Sequence, residues 1–159
     1  MPTRFIVQPE EINADNVVMD IEEIRKINPH RYEMELLSGI LRLDIENQIA
    51  VAYKDITPNE FWCRGHIPGR PLMPGVLMIE AAAQLCTFYY KRAQEGVEDR
   101  FLGFAGLDRV KFRATVVPGD TLIIVAKNTE LRTRRAVFDC QGMVGNKLAF
   151  EATITGMPV

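Results

Sequence analysis

The sequence predicts an α+β fold in which an antiparallel sheet wraps around one long central helix. Residues 74–94 form the only long helical segment, and most segments after it alternate apolar and polar residues as strands do. Several antiparallel strands together with one long, mostly apolar helix imply a sheet wrapped around that helix. The 159 residues fit a single domain, 1–159, in which we expect residues 1–17 to be a loosely held lead-in.

The central helix is predicted over residues 74–94. Its first residues are a Pro-Gly pair, good helix formers follow, and cationic residues precede Gly96, which is the usual order of helix start and stop signals. We expect the helix to pack against the sheet through Val76, Leu77, Ile79 and Ala83.

The other elements are predicted from shorter patterns. Residues 19–27 have apolar residues at helical spacing with acids early and bases late, so they predict a short helix that stops before Pro29. Residues 40–56 alternate on both sides of a polar break at 46–48, which predicts two strands and a turn. After the central helix, the sequence predicts further strands, with a tight turn at Gly145 and Asn146.

Composition limits the possible classes of protein. Hydrophobic residues make up 47% of the chain and charged residues 25%, which is typical of a globular domain. No segment has the length of apolar sequence that a membrane helix needs, and the N-terminus lacks a secretory pattern, so we expect a cytoplasmic protein without a membrane contact. Three widely spaced cysteines predict reduced thiols, and only two histidines make a zinc site improbable.

The basic residues concentrate in two clusters of the last third of the chain. The formal net charge is −2, yet residues 101–159 carry an excess of basic side chains. These clusters are solvated strand edges or a docking face for an acidic partner. Nucleic acid is a weaker candidate, because the overall balance is acidic and no aromatic residues are interleaved with the arginines, so we expect no nucleic-acid partner. The cluster residues are Arg109, Lys111, Arg113, Arg132, Arg134 and Arg135.

Residues 65–80, GHIPGRPLMPGVLMIE, combine a histidine in a rigid Pro- and Gly-rich loop with a single carboxylate on the following helix. Glu80, Gln84, Thr87 and Lys91 form one helical stripe, which is either the solvated face of the helix or the lining of a closed cavity. In a cavity, desolvation would favour the protonated form of Glu80, which could then donate a proton.

His66 lies just before the helix start and is a candidate base. The free N–H groups near Gly75, at the positive end of the helix dipole, could hold a developing oxyanion. A base, an acid and an oxyanion site together suit removal of a proton next to a carbonyl followed by loss of a leaving group.

The segment GHIPGRPLMPGVLMIEAAAQ resembles the active-site segment of the (3R)-hydroxyacyl-acyl carrier protein dehydratases of bacterial fatty acid synthesis. The resemblance extends through PHRY at 29–32, ITPNEFW at 56–62 and GLDRVKFRATVVPGD at 106–120, so it covers most of residues 20–155. It implies the hot-dog fold, in which a curled antiparallel sheet encloses a central helix. That fold agrees with the architecture predicted from the sequence patterns.

The resemblance also implies roles for individual residues. His66 would remove the α-proton of a 3-hydroxyacyl thioester, and Glu80 would protonate the departing β-hydroxyl. The Gly75 N–H would bind the thioester carbonyl, and Gln84 would orient the acid. The family's histidine and glutamate come from different subunits, which implies a homodimer or a trimer of dimers. The implied partner is an acyl carrier protein, with neither a cofactor nor a metal.

The chain departs from the family pattern near the site. It reads PHRYEMELLSG where family members read PHRYPFLLVDR, and two phenylalanines near the histidine are replaced. We expect the lost aromatic area to reshape the acyl tunnel and the new acids, placed on the first strand, to alter packing. The departures are Glu33, Glu35, Ser38, Gly39, Cys63 and Ile67.

Three other functions compete with dehydration. A hot-dog acyl thioesterase would use Glu80 as an ionised base that activates water. A non-catalytic acyl-carrier-binding protein would retain His66 and Glu80 without using them. A Cys63 and His66 pair could act as a nucleophile, but nothing nearby in the sequence would stabilise the thiolate.

Overall fold

The computed structural model describes residues 4–159 and confirms the predicted α+β architecture. Six antiparallel strands form one sheet in the order β1-β2-β4-β5-β6-β3, and the long helix α2 packs against it. The helices are α1 (Ile21–Ile27) and α2 (Gly75–Ala93), with 3-10 turns at Pro9–Glu11 and Tyr32–Met34. The strands are β1 (Gly39–Asp44), β2 (Ile49–Asp55), β3 (Leu102–Phe112), β4 (Thr121–Arg132), β5 (Arg135–Val144) and β6 (Lys147–Pro158).

Helix α2 begins and ends within one residue of its predicted bounds. Pro74 precedes its first turn, and Gly96 lies beyond its end with a φ of +75°. Its buried side chains include Phe88, Tyr89 and Tyr90, which are among the largest in the core. The predicted packing residues are mostly correct, but Val76 is wrong: it is 72% exposed, because in the first turn it points away from the sheet and borders an open groove.

The predicted short elements are confirmed. Asp20 caps α1 by accepting a hydrogen bond from the Glu23 N–H at 3.0 Å, and the helix ends at Ile27, just before Pro29. Strands β1 and β2 flank the predicted polar break, where Gln48 has a φ of +62°. The β5–β6 turn contains Gly145, whose φ of +60° is readily adopted by glycine.

The described part of the N-terminal lead-in is packed more firmly than expected. Val7 is only 3% exposed and lies in a small apolar cluster on the outer face of the sheet. The Gln141 side chain accepts a hydrogen bond from the Ile6 N–H and donates one to the Arg4 carbonyl, both at 2.8 Å. The segment is therefore held because its apolar residues cover an otherwise exposed sheet face.

Strand β3 forms one end of the sheet. Its inner edge pairs with β6, whereas no strand among residues 4–159 pairs with its outer edge. Apolar side chains along it are nevertheless exposed: Phe104, Leu107, Val110 and Phe112 are between 36% and 50% exposed. A long edge strand with such side chains is a template for pairing with another chain.

The acidic departures from the family pattern lie before the first strand and not on it. Glu33 belongs to the 3-10 turn, and Glu35 follows that turn. Arg25 of α1 donates to both carboxylate oxygens of Glu35 at 2.7 and 2.9 Å, so Glu35 ties α1 to this segment. The Arg25 hydrogen bonds hold the pKa of Glu35 below its usual range, against the opposing effect of burial.

No helix within residues 4–159 combines the length and the apolar character needed to cross a membrane.

Candidate active site

The loop that carries His66 fixes the orientation of its ring. The His66 N–H donates to the Trp62 carbonyl at 2.7 Å, and the ring atom Nδ1 lies 2.7 Å from the Leu72 carbonyl oxygen. A carbonyl oxygen only accepts, so Nδ1 must carry the proton in this contact. The lone pair of the neutral ring is therefore on Nε2, where it is available to accept a proton.

An ion pair that is largely shielded from solvent joins β2 to the segment before this loop. Lys54 of β2 lies 3.1 Å from Glu60, and its ammonium lies 5.9 Å from the centre of the buried Trp62 ring. Glu60 also accepts hydrogen bonds from the Thr57 N–H and hydroxyl at 3.0 and 2.8 Å. Burial raises the pKa of Glu60, but these hydrogen bonds and Lys54 together lower the pKa below its usual range.

We expect Lys54→Met and Glu60→Gln each to lower the free energy of unfolding by about 2 kcal/mol, because each removes one partner of a charge-assisted hydrogen bond that is largely shielded from solvent. The folded-state pKa of Glu60 is depressed, so the pair contributes fully above pH 4.5, the usual value for Glu. The contribution is lost as the pH falls through the lower folded pKa. Urea unfolding at several pH values should therefore show a difference between wild type and Glu60→Gln that shrinks in acid.

The matched control is Arg132→Met, which breaks the exposed pair of Arg132 with Glu130. It should cost less than about 1 kcal/mol at any pH, as exposed ion pairs do. If Lys54→Met and Arg132→Met lowered the free energy of unfolding equally, the Lys54 pair would contribute no more than an exposed ion pair.

Gly75 is the first residue of α2 and borders the same groove as His66. A Cβ at this position would lie 2.7 Å from the Phe112 ring, so close packing of that ring requires glycine here. The first N–H groups of a helix have no partner within the helix, and they carry the positive end of its dipole. Gly75 is thus placed to offer an N–H to an oxyanion in the groove.

Glu80 is held by a hydrogen-bond network around Gln84. The Gln84 Oε1 accepts from the Leu36 N–H at 3.0 Å, which fixes the orientation of the amide. Its Nε2 therefore donates, to the Met34 carbonyl at 2.8 Å and to Glu80 Oε1 at 3.2 Å. Gln84 thus contacts Glu80 and also anchors the segment before β1.

Glu80 and Gln84 line a small cavity of about 50 Å³ between α2 and the start of β3. Gln84 and Thr87 are 2% and 3% exposed, so the interpretation of the polar stripe as a solvated helix face is wrong. The other lining residues are mainly apolar or small: His30, Ala83, Cys86, Phe101, Leu102, Gly103, Phe104, Ile154 and Gly156.

The histidine next to Glu80 is His30 and not His66, and the sequence did not predict this contact. Its Nε2 is 3.8 Å from Glu80 Oε1, and its ring lies 6.5 Å from the Phe101 ring. Burial lowers the pKa of His30, with Glu80 opposing this shift and Lys91 and Arg31 adding to it. The sequence did offer one signal for His30, because it lies in PHRY at 29–32, one of the segments that carry the family resemblance.

Within one chain, His66 and Glu80 line different cavities. The His66 groove includes Phe112 at the end of β3, whereas the Glu80 cavity includes Leu102 at its start. The structure therefore does not bring the predicted base and acid together in a single chain. The alternative Cys63 nucleophile also lacks support, since its Sγ lies 3.7 Å from the Thr57 carbonyl oxygen and the His66 Nδ1 is bound to Leu72.

The two basic clusters lie at opposite ends of β3 and β6. Arg113 pairs with Glu151 near the His66 groove, and Arg109 donates to the Thr153 hydroxyl. The other cluster occupies the β4–β5 turn, where Arg132 and Arg135 both pair with Glu130. That turn adjoins the Glu80 cavity, because Arg100, next to Phe101, contacts the Thr133 carbonyl at 3.5 Å.

Comparisons with known proteins assign the fold and the family. The dehydratase heterocomplex ApeI:P from Xenorhabdus doucetiae has a TM-score of 0.74 at 12% identity, covering 86% of this chain and 90% of that one. A hypothetical thioesterase with coenzyme A from Streptococcus pneumoniae has a TM-score of 0.59 at 10% identity, covering 76% and 84%. At such identities these structures show the fold alone. The protein has a hot-dog fold, as predicted.

The FabA-like domain family matches residues 28–153. The 3-hydroxyacyl-[acyl-carrier-protein] dehydratase FabZ of Koribacter versatilis is 40% identical over 143 residues, which cover 87% of this chain and 88% of the relative. FabZ of Ehrlichia canis is 39% identical over 140 residues, covering 87% and 94%. The bifunctional enzyme LpxC/FabZ of Chlorobaculum tepidum is 39% identical over 138 residues, but the chain spans only 29% of its length.

The chain therefore belongs to the FabA-like family and, within it, groups with the FabZ dehydratases. The prediction of a dehydratase-family enzyme is confirmed.

Proposed function

We propose that the protein eliminates water from (3R)-3-hydroxyacyl thioesters carried by an acyl carrier protein, giving trans-2-enoyl thioesters in fatty acid synthesis. The observation that carries this proposal is the contact of His66 Nδ1 with the Leu72 carbonyl at 2.7 Å, which leaves Nε2 as an oriented base. The names of the FabZ relatives support the substrate class. The three free cysteines favour the cytoplasm as the place of action.

The elimination needs one base, one acid and one oxyanion donor. His66 Nε2 takes the proton from C2 of the substrate, and the electron pair of that C–H bond forms the C2=C3 double bond. The C3–O bond breaks, and the hydroxyl leaves as water with the proton from Glu80. The Gly75 N–H stabilises the charge that develops on the thioester oxygen while the C–H bond breaks.

The exposed edge of β3 supports a shared site between two chains. Antiparallel pairing of two β3 edges about a two-fold axis places the Phe112 end of one strand beside the Phe104 end of the other. The His66 groove of one chain then adjoins the Glu80 cavity of its partner. The exposed apolar side chains of β3 would be covered in such a homodimer.

An ultraviolet assay with carrier-bound 3-hydroxybutyryl and longer 3-hydroxyacyl thioesters tests the activity. Appearance of the conjugated enoyl thioester is the expected result. Release of free thiol without enoyl product would identify a thioesterase instead, and tight carrier binding without either product would identify a non-catalytic binding protein.

The basic clusters are proposed to steer the acidic carrier to the site entrance. In the two-fold arrangement, the β4–β5 turn of one chain and the Arg113 end of its partner's β3 lie at the same end of the dimer. Lys111 and Arg134 pair with no carboxylate within the described residues 4–159, so their charges are available to a partner.

We expect the charge reversals Lys111→Glu and Arg134→Glu together to lower kcat/KM for the carrier-bound substrate by about tenfold or more, because steering charges act on association. A small thioester analogue, measured with the same variant, is the internal control and should react at nearly the wild-type rate. Added salt should weaken wild-type use of the carrier-bound substrate and have little effect on the variant. If kcat/KM fell equally for both substrates, Lys111 and Arg134 would have a structural role and no role in carrier docking.

A further inference from the structure

We infer that His30 is a positioning residue for Glu80: its neutral ring, protonated on Nε2, directs the acid proton of Glu80 to Oε2. This inference deepens the proposed function and rests on it. It is carried by the contacts of one carboxylate oxygen and by the surroundings of one imidazole ring.

The first step concerns the two oxygens of Glu80. Gln84 Nε2 donates to Oε1 at 3.2 Å, and His30 Nε2 lies 3.8 Å from the same oxygen. An oxygen that accepts hydrogen bonds from donors is the one that does not carry the proton of a neutral carboxyl group. The hydrogen bond from Gln84 and the electrostatic attraction of His30 both make Oε1 the accepting oxygen, which leaves Oε2 to carry and deliver the proton.

The second step concerns the proton of the His30 ring. Its Nδ1 is buried and has no hydrogen-bond partner among residues 4–159. A neutral imidazole carries one N–H, and placing it on Nδ1 would bury a donor without an acceptor. Placing it on Nε2 directs it towards Glu80 Oε1, which is an acceptor. The Nε2–H form is therefore the favoured tautomer.

The third step concerns the charge of the ring. An imidazolium would need a second N–H at the buried Nδ1, and it would stabilise an ionised Glu80, which cannot act as an acid. The positive charges of Lys91 and Arg31 also lower the pKa of His30. Arg25 and Glu35 line a second, narrow cavity that His30 borders. The resulting neutral ring is a donor without charge, which is suited to orienting a protonated carboxyl group.

The separation of 3.8 Å is longer than a hydrogen bond, so the ring and the carboxyl group interact electrostatically in this structure. Catalytic hydrogen bonds are often long without substrate and shorten in the reactive complex.

Three substitutions separate positioning from a structural role. His30→Gln keeps a donor near the position of Nε2, His30→Asn offers one near Nδ1, and His30→Phe keeps a ring without a donor. We expect kcat to fall by about tenfold to hundredfold in the Asn and Phe variants, with KM nearly unchanged, because a displaced acid slows the chemical step. The kcat of His30→Gln should fall clearly less than that of the other two variants. The inference would be overturned if kcat fell equally in all three variants, or if the decrease in kcat simply followed the decrease in melting temperature.

Nitrogen-15 spectra of histidine-labelled protein test the ring directly and need no activity. The chain has two histidines, so His66→Gln identifies the His30 signals. At pH 7 we expect a neutral His30 with the proton on Nε2, and an Nδ1–H tautomer or an imidazolium would overturn the inference. A wild-type protein that dehydrates no thioester would refute the proposed function separately, whatever the spectra show, and the positioning role would fall with it.

Discussion

We expect His66→Ala and Glu80→Gln each to lower the turnover of 3-hydroxyacyl thioesters by at least about a hundredfold, the usual minimum for general acid–base catalysis. His66→Ala removes the proposed base, whose Nε2 is left free by the Leu72 contact. Glu80→Gln is nearly isosteric and keeps a group that can bond to Gln84, but its amide cannot supply the proton. The double variant should be little slower than either single one, because groups that act as a unit fail together.

The measurement is the rate of hydration and dehydration of the two single variants and the double variant, with thermal melts to confirm folding. Glu95→Gln is the matched control, since Glu95 is exposed beyond the end of α2. It should leave the rate unchanged. Near-normal turnover of folded Glu80→Gln would end the assignment of Glu80 as the acid.

Mixing the two inactive single variants should restore activity. If each site takes His66 from one chain and Glu80 from its partner, a mixed dimer has one site with both residues intact and one with neither. Random pairing makes half of the dimers mixed, so co-expressed His66→Ala and Glu80→Gln chains should reach about a quarter of the wild-type rate. Sites built within single chains would instead give no recovery.

The control for this experiment breaks the proposed pairing of β3 edges. Leu107 lies in the middle of the strand and is half-exposed. Leu107→Glu places two like charges at the centre of the interface, so the protein should become monomeric on gel filtration and lose activity. A fully active monomer at micromolar concentration would refute the shared site.

Local patterns were sufficient to predict most of the fold. The Pro-Gly start and cationic end of α2 act within a few residues of the helix termini, so their effect does not depend on the rest of the chain. The same is true of Asp20 at the start of α1 and of Gly145 in the β5–β6 turn. The spacing of His66 and Glu80 and the resemblance carried by their segment were likewise visible in the sequence.

The burial of the residues around the candidate site could not be predicted from the sequence. The spacing of Glu80, Gln84 and Thr87 is the same for a solvated face and for a cavity lining, and only the position of the sheet decides that Gln84 and Thr87 are buried. Val76 has the hydrophobicity of a core residue but faces open space in the first turn.

The sequence by itself determined the elements and the residue types of the site, because helix caps, turns and periodicity are set over a few neighbouring residues. Only the tertiary structure decided which of those residues meet. It places His30 beside Glu80 across 50 positions of the chain, and it pairs Lys54 with Glu60. It also separates His66 from Glu80 along β3. Such contacts depend on how distant segments pack, and side-chain packing and burial are properties of the whole folded chain.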